Sequence, residues 1–197
     1  KNETNKIIER FIDDNNCIVF GSTWKEDENI IIKYLNNCKG NTKHIIAPHE
    51  IVKNSERIKK YLGSKSILFS KIDSNTDLKE FSYLIIDNVG MLSSLYSYAT
   101  IAYVGGGYST GVHNVMEPAV ARLPVLFGPK YRNSHEAEEL LINKGGFCVT
   151  NKDEFLNKAK HLISDSNYFK ITSLSASDVV YQNLGSSMKM ARIILGD

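Results

Sequence analysis

The sequence contains few of the residues that build covalently or metal-stabilised folds. Its three cysteines, Cys17, Cys38 and Cys148, form no Cys-x-x-Cys pair and no Cys/His cluster, so neither a zinc site nor a disulfide framework is expected. It also lacks an apolar run near the roughly 18 residues that a membrane-spanning helix needs, and it begins without a signal-peptide pattern. An odd number of unpaired cysteines suits a reducing compartment, and we expect this chain to be soluble and cytoplasmic.

An excess of one charge is missing as well. The 24 Lys and Arg residues nearly balance the 22 Asp and Glu residues, for a net charge of +2. The densest basic feature, Arg57, Lys59 and Lys60, fits the solvated face of a helix, so no nucleic-acid partner is expected. The 197 residues can hold one good core, and the first residue is Lys1 rather than Met. We therefore expect one domain, residues 1–197, taken from a longer protein.

Short β-rich apolar runs alternate with amphipathic helical patterns along most of the chain. The predicted strands are Cys17–Phe20, His44–Ala47, Ser66–Phe69, Tyr83–Ile86, Ile101–Val104, Val125–Phe127 and Phe147–Val149. The predicted helices are Asn2–Asp13, Asp27–Leu35, Ile51–Leu62, Met91–Tyr98, Asn114–Ala121, His135–Asn143, Asp153–Ile163 and Ser187–Leu195, with a polar loop over Lys71–Lys79. Strands this uniformly apolar are usually buried on both faces. The pattern therefore predicts a Rossmann-like α/β fold with a doubly wound parallel sheet.

In such a sheet, ligands bind beside the carboxyl ends of the strands. Unusual residues follow five of the predicted strands: Gly21-Ser22-Thr23-Trp24, Pro48-His49-Glu50, Asp87-Asn88-Val89-Gly90-Met91, the glycine-rich segment after Val104, and Gly128-Pro129. Each loop alone also has a structural explanation, since Ser22 or Thr23, for example, could cap the helix that follows. Because all five would meet at one edge of the sheet, we predict a ligand site there.

The segment Val104–Pro129, VGGGYSTGVHNVMEPAVARLPVLFGP, predicts a buried strand, a glycine-rich loop, a short helix and a second strand. Glycines let backbone approach a ligand closely, and free N–H groups at the start of a helix attract phosphate. Glu117, one turn into the helix, offers a carboxylate to sugar hydroxyls. Phosphate on the amides and ribose on Glu117 would form a nucleotide site, although glycine loops also serve simply to turn the chain.

Several common catalytic patterns are missing. The loop is not a P-loop, its glycines follow a late strand rather than the first, and no Gly-x-Ser-x-Gly elbow, catalytic triad or Asp-x-Asp pair is present. No carboxylate stands out as a general base. We therefore expect donor binding without acceptor activation, with no catalytic residue, no metal and no cofactor in this chain.

Four blocks of the sequence resemble one family. The blocks are Gly21-Ser22-Thr23-Trp24 with Glu26–Glu28, Ala47-Pro48-His49-Glu50, Asp87–Leu92 and Gly105–Pro129. They resemble, from about Cys17 to the end of the chain, the C-terminal half of the bacterial 3-deoxy-D-manno-octulosonic acid (Kdo) transferases. The resemblance implies one half of a GT-B glycosyltransferase. In that family the C-terminal domain binds CMP-Kdo, and the N-terminal domain binds a lipid A precursor and carries the catalytic base.

The resemblance also implies which residues contact the donor. Phosphate and ribose would be held by Asn114, Val115, Met116 and Glu117. The cytidine would be framed by Pro48, His49, Gly90, Met91 and Leu92. Ser22 and Thr23 would lie near the phosphate or the Kdo, and the glycine-rich loop would add Gly106, Gly107, Gly111 and His113. Candidates for the Kdo carboxylate are Lys25, Lys130 and Arg132, which otherwise are simply surface charges.

Two positions depart from the common family pattern. His49 stands where many members have Arg, and Met91 stands where many have Glu, so main-chain contacts are expected there. The implied reaction is inverting, metal-independent transfer of Kdo in lipopolysaccharide synthesis, at the cytoplasmic face of the inner membrane for the whole enzyme. The isolated domain would be inactive. Two other interpretations stay open: another GT-B enzyme using a UDP-sugar, as transferase or epimerase, or a non-catalytic nucleotide-binding or partner-docking module.

Overall fold

A parallel β-sheet organises the part of the chain that the computed structural model describes, residues 3–38 and 40–195. Its strands are β1 (Cys17–Thr23), β2 (Lys43–Pro48), β3 (Ser66–Leu68), β4 (Tyr83–Ile85), β5 (Ile101–Val104), β6 (Val125–Phe127) and β7 (Gly146–Cys148). The spatial order is β3-β4-β2-β1-β5-β6-β7, and every neighbouring pair of strands is parallel. The predicted Rossmann-like, doubly wound α/β class is therefore confirmed.

Helices cover both faces of this sheet. They are α1 (Glu3–Ile12), α2 (Lys25–Leu35), α3 (Ile51–Leu62), α4 (Leu92–Leu95), α5 (Met116–Val120), α6 (His135–Ile142), α7 (Lys152–Ser164) and α8 (Ser166–Leu195). Among the described residues, no helix combines the length and the apolar character needed to cross a bilayer.

The strands bury side chains on both faces, as their uniformly apolar sequences predict. In β1, Phe20 belongs to a cluster with Tyr34 of α2 and Phe155 of α7, whereas Val19 belongs to a second cluster on the opposite face with Phe11 of α1. The ring centroids of Phe20 and Phe155 lie 5.6 Å apart. Each helical layer therefore has its own apolar core against the sheet.

The strand order changes direction next to β1. After β1 the chain builds β2, β3 and β4 on one side, and it then crosses to β5 on the other side. Gly21 of β1 is paired with Val104 of β5 at the carboxyl end of this central pair. In open α/β sheets, the crevice at such a switch point is the usual ligand site.

Two sequence-based predictions need correction. The Gly21-Ser22-Thr23 segment is not a loop, because β1 continues through Thr23 with a register irregularity at Ser22, whose φ is 53°. The predicted C-terminal helix Ser187–Leu195 is only the end of α8, which begins at Ser166. Its Ser-rich, β-branched first half has modest helix propensity. That half is held by packing, and Ala176 and Val179 are buried.

The buried His44 in β2 should make the stability of the protein depend on pH. Burial of its ring lowers the pKa of His44 to about 3, from 6.5 for a solvated side chain. Between these values the unfolded chain binds a proton that the folded chain does not, so stability is complete above pH 6.5 and is lost as the pH falls towards 3. Urea unfolding at pH 7 and pH 5 should show a loss about 2 kcal/mol larger in the wild type than in His44→Phe. Equal losses in the two proteins would show that the folded state protonates His44.

Candidate functional site

The predicted site residues gather where β1, β2, β4 and β5 end. The end of β1 and the segments that follow β2, β4 and β5 meet there, and the glycine-rich loop between β5 and α5 lies beside the end of β1. Backbone hydrogen bonds join the loops to each other: the amide of His49 donates to the carbonyl of Thr23 at 2.9 Å, and the amide of Gly105 donates to the carbonyl of Gly21 at 2.9 Å.

Asp27, in the first turn of α2, anchors the glycine-rich loop. Its side chain is fully buried. One carboxylate oxygen accepts the hydroxyl of Tyr103 at 2.8 Å, and the other accepts the backbone amides of Gly106 at 2.8 Å and Trp24 at 2.9 Å. Burial, and then the nearby carboxylate, raise the pKa of Tyr103 far above its ordinary value, so the phenol stays a donor. Asp27 lies within the Glu26–Glu28 part of the first family block but is not among the predicted site residues.

The glycines are required by close backbone approach. A Cβ on Gly105 would lie 2.2 Å from the carbonyl oxygen of Ser22, and a Cβ on Gly107 would lie 2.5 Å from the amide nitrogen of Gly128. Gly106 has a φ of 91°, and a Cβ there would lie 2.2 Å from the carbonyl oxygen of Gly111. Any side chain at these positions would push apart segments that now touch. The glycines at 106 and 107 are buried, so they shape the loop from within.

Asn133 holds the second half of the loop. Its side-chain oxygen accepts the amide of Val112 at 3.1 Å, and its side-chain nitrogen donates to the carbonyl of the same residue at 3.0 Å. The amide of Val112 also donates to the carbonyl of Lys130, and the amide of Lys130 donates to the carbonyl of Gly107. The loop before α6 therefore fixes the direction in which the chain approaches His113.

Asn114 and Glu117 are exposed and contact each other. The side-chain nitrogen of Asn114 donates to Oε1 of Glu117 at 3.1 Å, and its oxygen accepts the amide of Met116 at 2.9 Å. Asn114, which precedes the N-cap residue Val115, thereby pairs the first amide of α5. In the described part of the chain, the amides of Asn114 and Val115 have no hydrogen-bond acceptor. Two unpaired donors therefore lie close in sequence to an exposed carboxylate, one in the exposed Asn114 and one in the buried Val115.

Three aromatic rings stack next to these amides. The ring of His49 stacks on both Trp24 and His113, with centroid distances of 4.6 Å and 4.7 Å. The rings of Trp24 and His113 lie side by side and nearly in one plane, with an interplanar angle of 4°. The indole Nε1 of Trp24 donates to Nε2 of His113 at 2.6 Å. Burial, and then the neighbouring His49, lower the pKa of His113, while Asp27 opposes the shift. Trp24 belongs to the segment after the first predicted strand and to the first family block, but it is not among the predicted site residues.

A small cleft adjoins the stack. Its volume is about 140 Å³, and its walls include Ser22, Pro48, His49, Gly90, Met91 and Leu92 together with the exposed Val89. The two groups predicted to frame a base thus share one cavity. Thr23 does not reach it, because its side chain is fully buried and its hydroxyl has no partner among the described groups.

The predicted cationic candidates lie at different places. Lys130 and Arg132 line a shallow depression of about 330 Å³ beside Gly111, and the ammonium of Lys130 donates to the carbonyl of Ser109 at 2.8 Å. Lys25 is exposed at the first position of α2. None of the described His, Cys, Asp and Glu side chains form a group that could hold a metal ion.

Comparisons with known proteins point to one family. The chain is 31% identical over 167 residues to the 3-deoxy-D-manno-octulosonic acid transferase of Rickettsia typhi, an alignment that covers 81% of this chain and 36% of that protein. It is 32% identical over 154 residues to the enzyme of the same name from Chlamydia trachomatis serovar A, covering 75% of this chain and 35% of the relative. The chain thus spans about a third of the length of these relatives. No family model matches.

A solved structure has the same fold. It is the C-terminal CMP-Kdo binding domain of WaaA from Acinetobacter baumannii, with a TM-score of 0.79 and 19% identity, covering 90% of this chain and 96% of that one. At that identity the match establishes the fold, which is that of one half of a GT-B glycosyltransferase.

Removing the Asp27 carboxylate should destabilise the protein. Asp27→Ala would leave two buried amides and a buried phenol without their acceptor, and we expect a loss of about 3 kcal/mol in the free energy of unfolding. Asp153→Ala, at an exposed first-turn aspartate of α7, is the matched control and should cost less than about 1 kcal/mol. Urea denaturation of both variants measures the difference. Equal losses would contradict the anchoring role of Asp27.

Proposed function

This chain is a homologue of the Kdo transferases, and on that premise we propose that it is the donor-binding half of a GT-B glycosyltransferase that uses CMP-Kdo. The proposal rests on one observation above all: the unpaired amide of the exposed Asn114, followed by the unpaired amide of Val115, precedes the exposed carboxylate of Glu117 at the switch point of the sheet. Amides suit a phosphate, and a carboxylate suits vicinal sugar hydroxyls.

The remaining parts of a nucleotide have complementary surfaces nearby. The cleft between the loops after β2 and β4 offers the flat, partly apolar walls that a base needs, with Met91 and Leu92 on one side and Pro48 on the other. Lys130 and Arg132 give the depression beside Gly111 a positive charge that suits the sugar carboxylate. A molecule with a base at one end and a carboxylate at the other would thus find the cleft for its base and the positively charged depression for its carboxylate.

The chemistry we propose is transfer with inversion. An acceptor hydroxyl, deprotonated by a carboxylate outside this domain, attacks the anomeric carbon of Kdo while the bond to the phosphate oxygen breaks and CMP leaves. Negative charge grows on the departing phosphate, and the amides of Asn114 and Val115, held in place beforehand, stabilise it. Because these donors serve the phosphate, the account requires no metal ion.

The acceptor and the cellular site belong to the same proposal. A lipid A precursor would be held by the partner domain of the same polypeptide, so the whole enzyme would act at the cytoplasmic face of the inner membrane. This half supplies the donor and no catalytic base. By itself it would bind the nucleotide and leave it intact.

Nucleotide binding tests the proposal directly. Calorimetry on the 197-residue chain should detect CMP binding and weaker binding of UMP. Glu117→Ala should weaken CMP binding at least about ten-fold, because it removes charge-assisted hydrogen bonds to the ribose. Glu56→Ala, at an exposed position of α3, should bind CMP as the wild type does.

Three outcomes would count against the proposal. A preference for UMP over CMP would indicate that this GT-B domain takes a UDP-sugar rather than CMP-Kdo. Equal weakening of CMP binding in Glu117→Ala and Glu56→Ala would show that Glu117 makes no specific contact with the ribose. Failure to bind either nucleotide would overturn donor binding by this chain.

A further inference from the structure

The contact between Trp24 and His113 determines where His113 carries its proton. An indole nitrogen can only donate a hydrogen bond. Because Nε1 of Trp24 lies 2.6 Å from Nε2 of His113, that imidazole nitrogen must be the acceptor and carry no proton. The proton of the neutral ring therefore sits on Nδ1.

The protonated edge of the His113 ring is the free one. Cδ2 lies 3.0 Å from the point that a Cβ on Gly106 would occupy, so the Cδ2–Nε2 edge faces the glycine-rich loop and Trp24. Nδ1 lies on the opposite edge, and it has no hydrogen-bond partner among the residues that the structure describes. The half-buried ring thus presents one N–H group that no described residue accepts, in the residue directly before Asn114.

The surroundings keep this ring neutral. Burial and the stacked His49 both disfavour a positive charge on His113, and the carboxylate of Asp27, which favours one, is occupied by three other donors. Protonation of Nε2 would also break the bond from Trp24. A neutral imidazole with a fixed N–H is a directional donor, whereas one free to change tautomer would offer that N–H only part of the time.

We propose that Trp24 is a positioning residue: its indole N–H locks His113 in the Nδ1–H form and so aims a third donor at the nucleotide. The proposal rests on the donor-binding function described above. Trp24 need not touch the ligand to act in this way. The Trp24 ring also stacks on His49, which lines the cleft proposed for the base. Trp24 therefore positions both histidines of the site.

The tautomer can be measured without any ligand. In ¹⁵N spectra of the histidine side chains at pH 7.5, His113 should show a protonated Nδ1 and an unprotonated Nε2. Trp24→Phe keeps a ring to stack on His49 but has no N–H, and it should give the averaged signals of two exchanging tautomers. A wild-type His113 protonated on Nε2 would overturn the proposal.

Fluorescence provides an independent readout, because Trp24 is the only tryptophan of the chain. Acidification should change its emission when His113 becomes charged, with a midpoint below the ordinary histidine pKa. In His113→Phe this transition should disappear. An unchanged transition in that variant would contradict the Trp24–His113 bond.

Ligand binding completes the test. Trp24→Phe should bind CMP about five-fold more weakly than the wild type, the effect of losing one oriented neutral hydrogen bond. Its unfolding midpoint is measured in parallel to confirm that it folds. The control, Tyr61→Phe on the exposed face of α3, should bind CMP normally.

The outcomes separate the two proposals. A wild type that binds CMP, with Trp24→Phe binding equally well, would overturn the role of Trp24 and leave the donor function standing. A wild type that binds no CMP would overturn the donor function and the ligand contact of His113 with it.

Discussion

The buried carboxylate of Asp27 is the interaction on which the site depends. It is reached by the amide of Trp24 at the start of α2, by the phenol of Tyr103 on β5 and by the amide of Gly106 in the glycine-rich loop. A buried carboxylate is costly unless donors surround it, and here three donors do so. The carboxylate also sits in the first turn of α2, where the helix dipole favours negative charge. The Asp27 side chain therefore links the segment after β1, the neighbouring strand β5 and the glycine-rich loop that follows β5.

The strands were predictable from sequence because the apolar pattern that marks each strand lies within a few consecutive residues. Runs such as Ile101–Val104 are apolar at every position, which fits a strand covered on both faces, and all seven predicted strands exist within one or two residues of their predicted ends except β1. The order of β3 and β4 at the sheet edge depends on packing between distant segments, which no local pattern encodes. The first half of α8 also depends on packing: Gly145 lies so close to Ala176 that a Cβ on the glycine would be 2.5 Å from the backbone of the helix.

The site was predictable only in part, for a similar reason. Glycines, His113, Asn114 and Glu117 lie together in sequence, so their proximity follows from chain connectivity. Asp27 did not stand out, because an acidic residue in a first helical turn is usually a response to the helix dipole alone. Trp24 is separated from His113 by 89 positions, and only the fold brings their rings together. Residues that act by holding others in place carry no local signature of that role.

The shape of the site explains why such a domain would work as one half of an enzyme. The cleft between the loops after β2 and β4 measures about 140 Å³, well below the roughly 300 Å³ at which cavities usually hold a small molecule. The depression beside Gly111 is open, and the side chains of Asn114 and Glu117 are exposed. A nucleotide sugar bound here would remain exposed to water on one side. Excluding water and supplying a base both require a second surface opposite this edge, and the relatives are about three times as long as their match to this chain. The domain would thus hold the leaving group firmly and leave the reacting carbon accessible, as an attack from the opposite side requires.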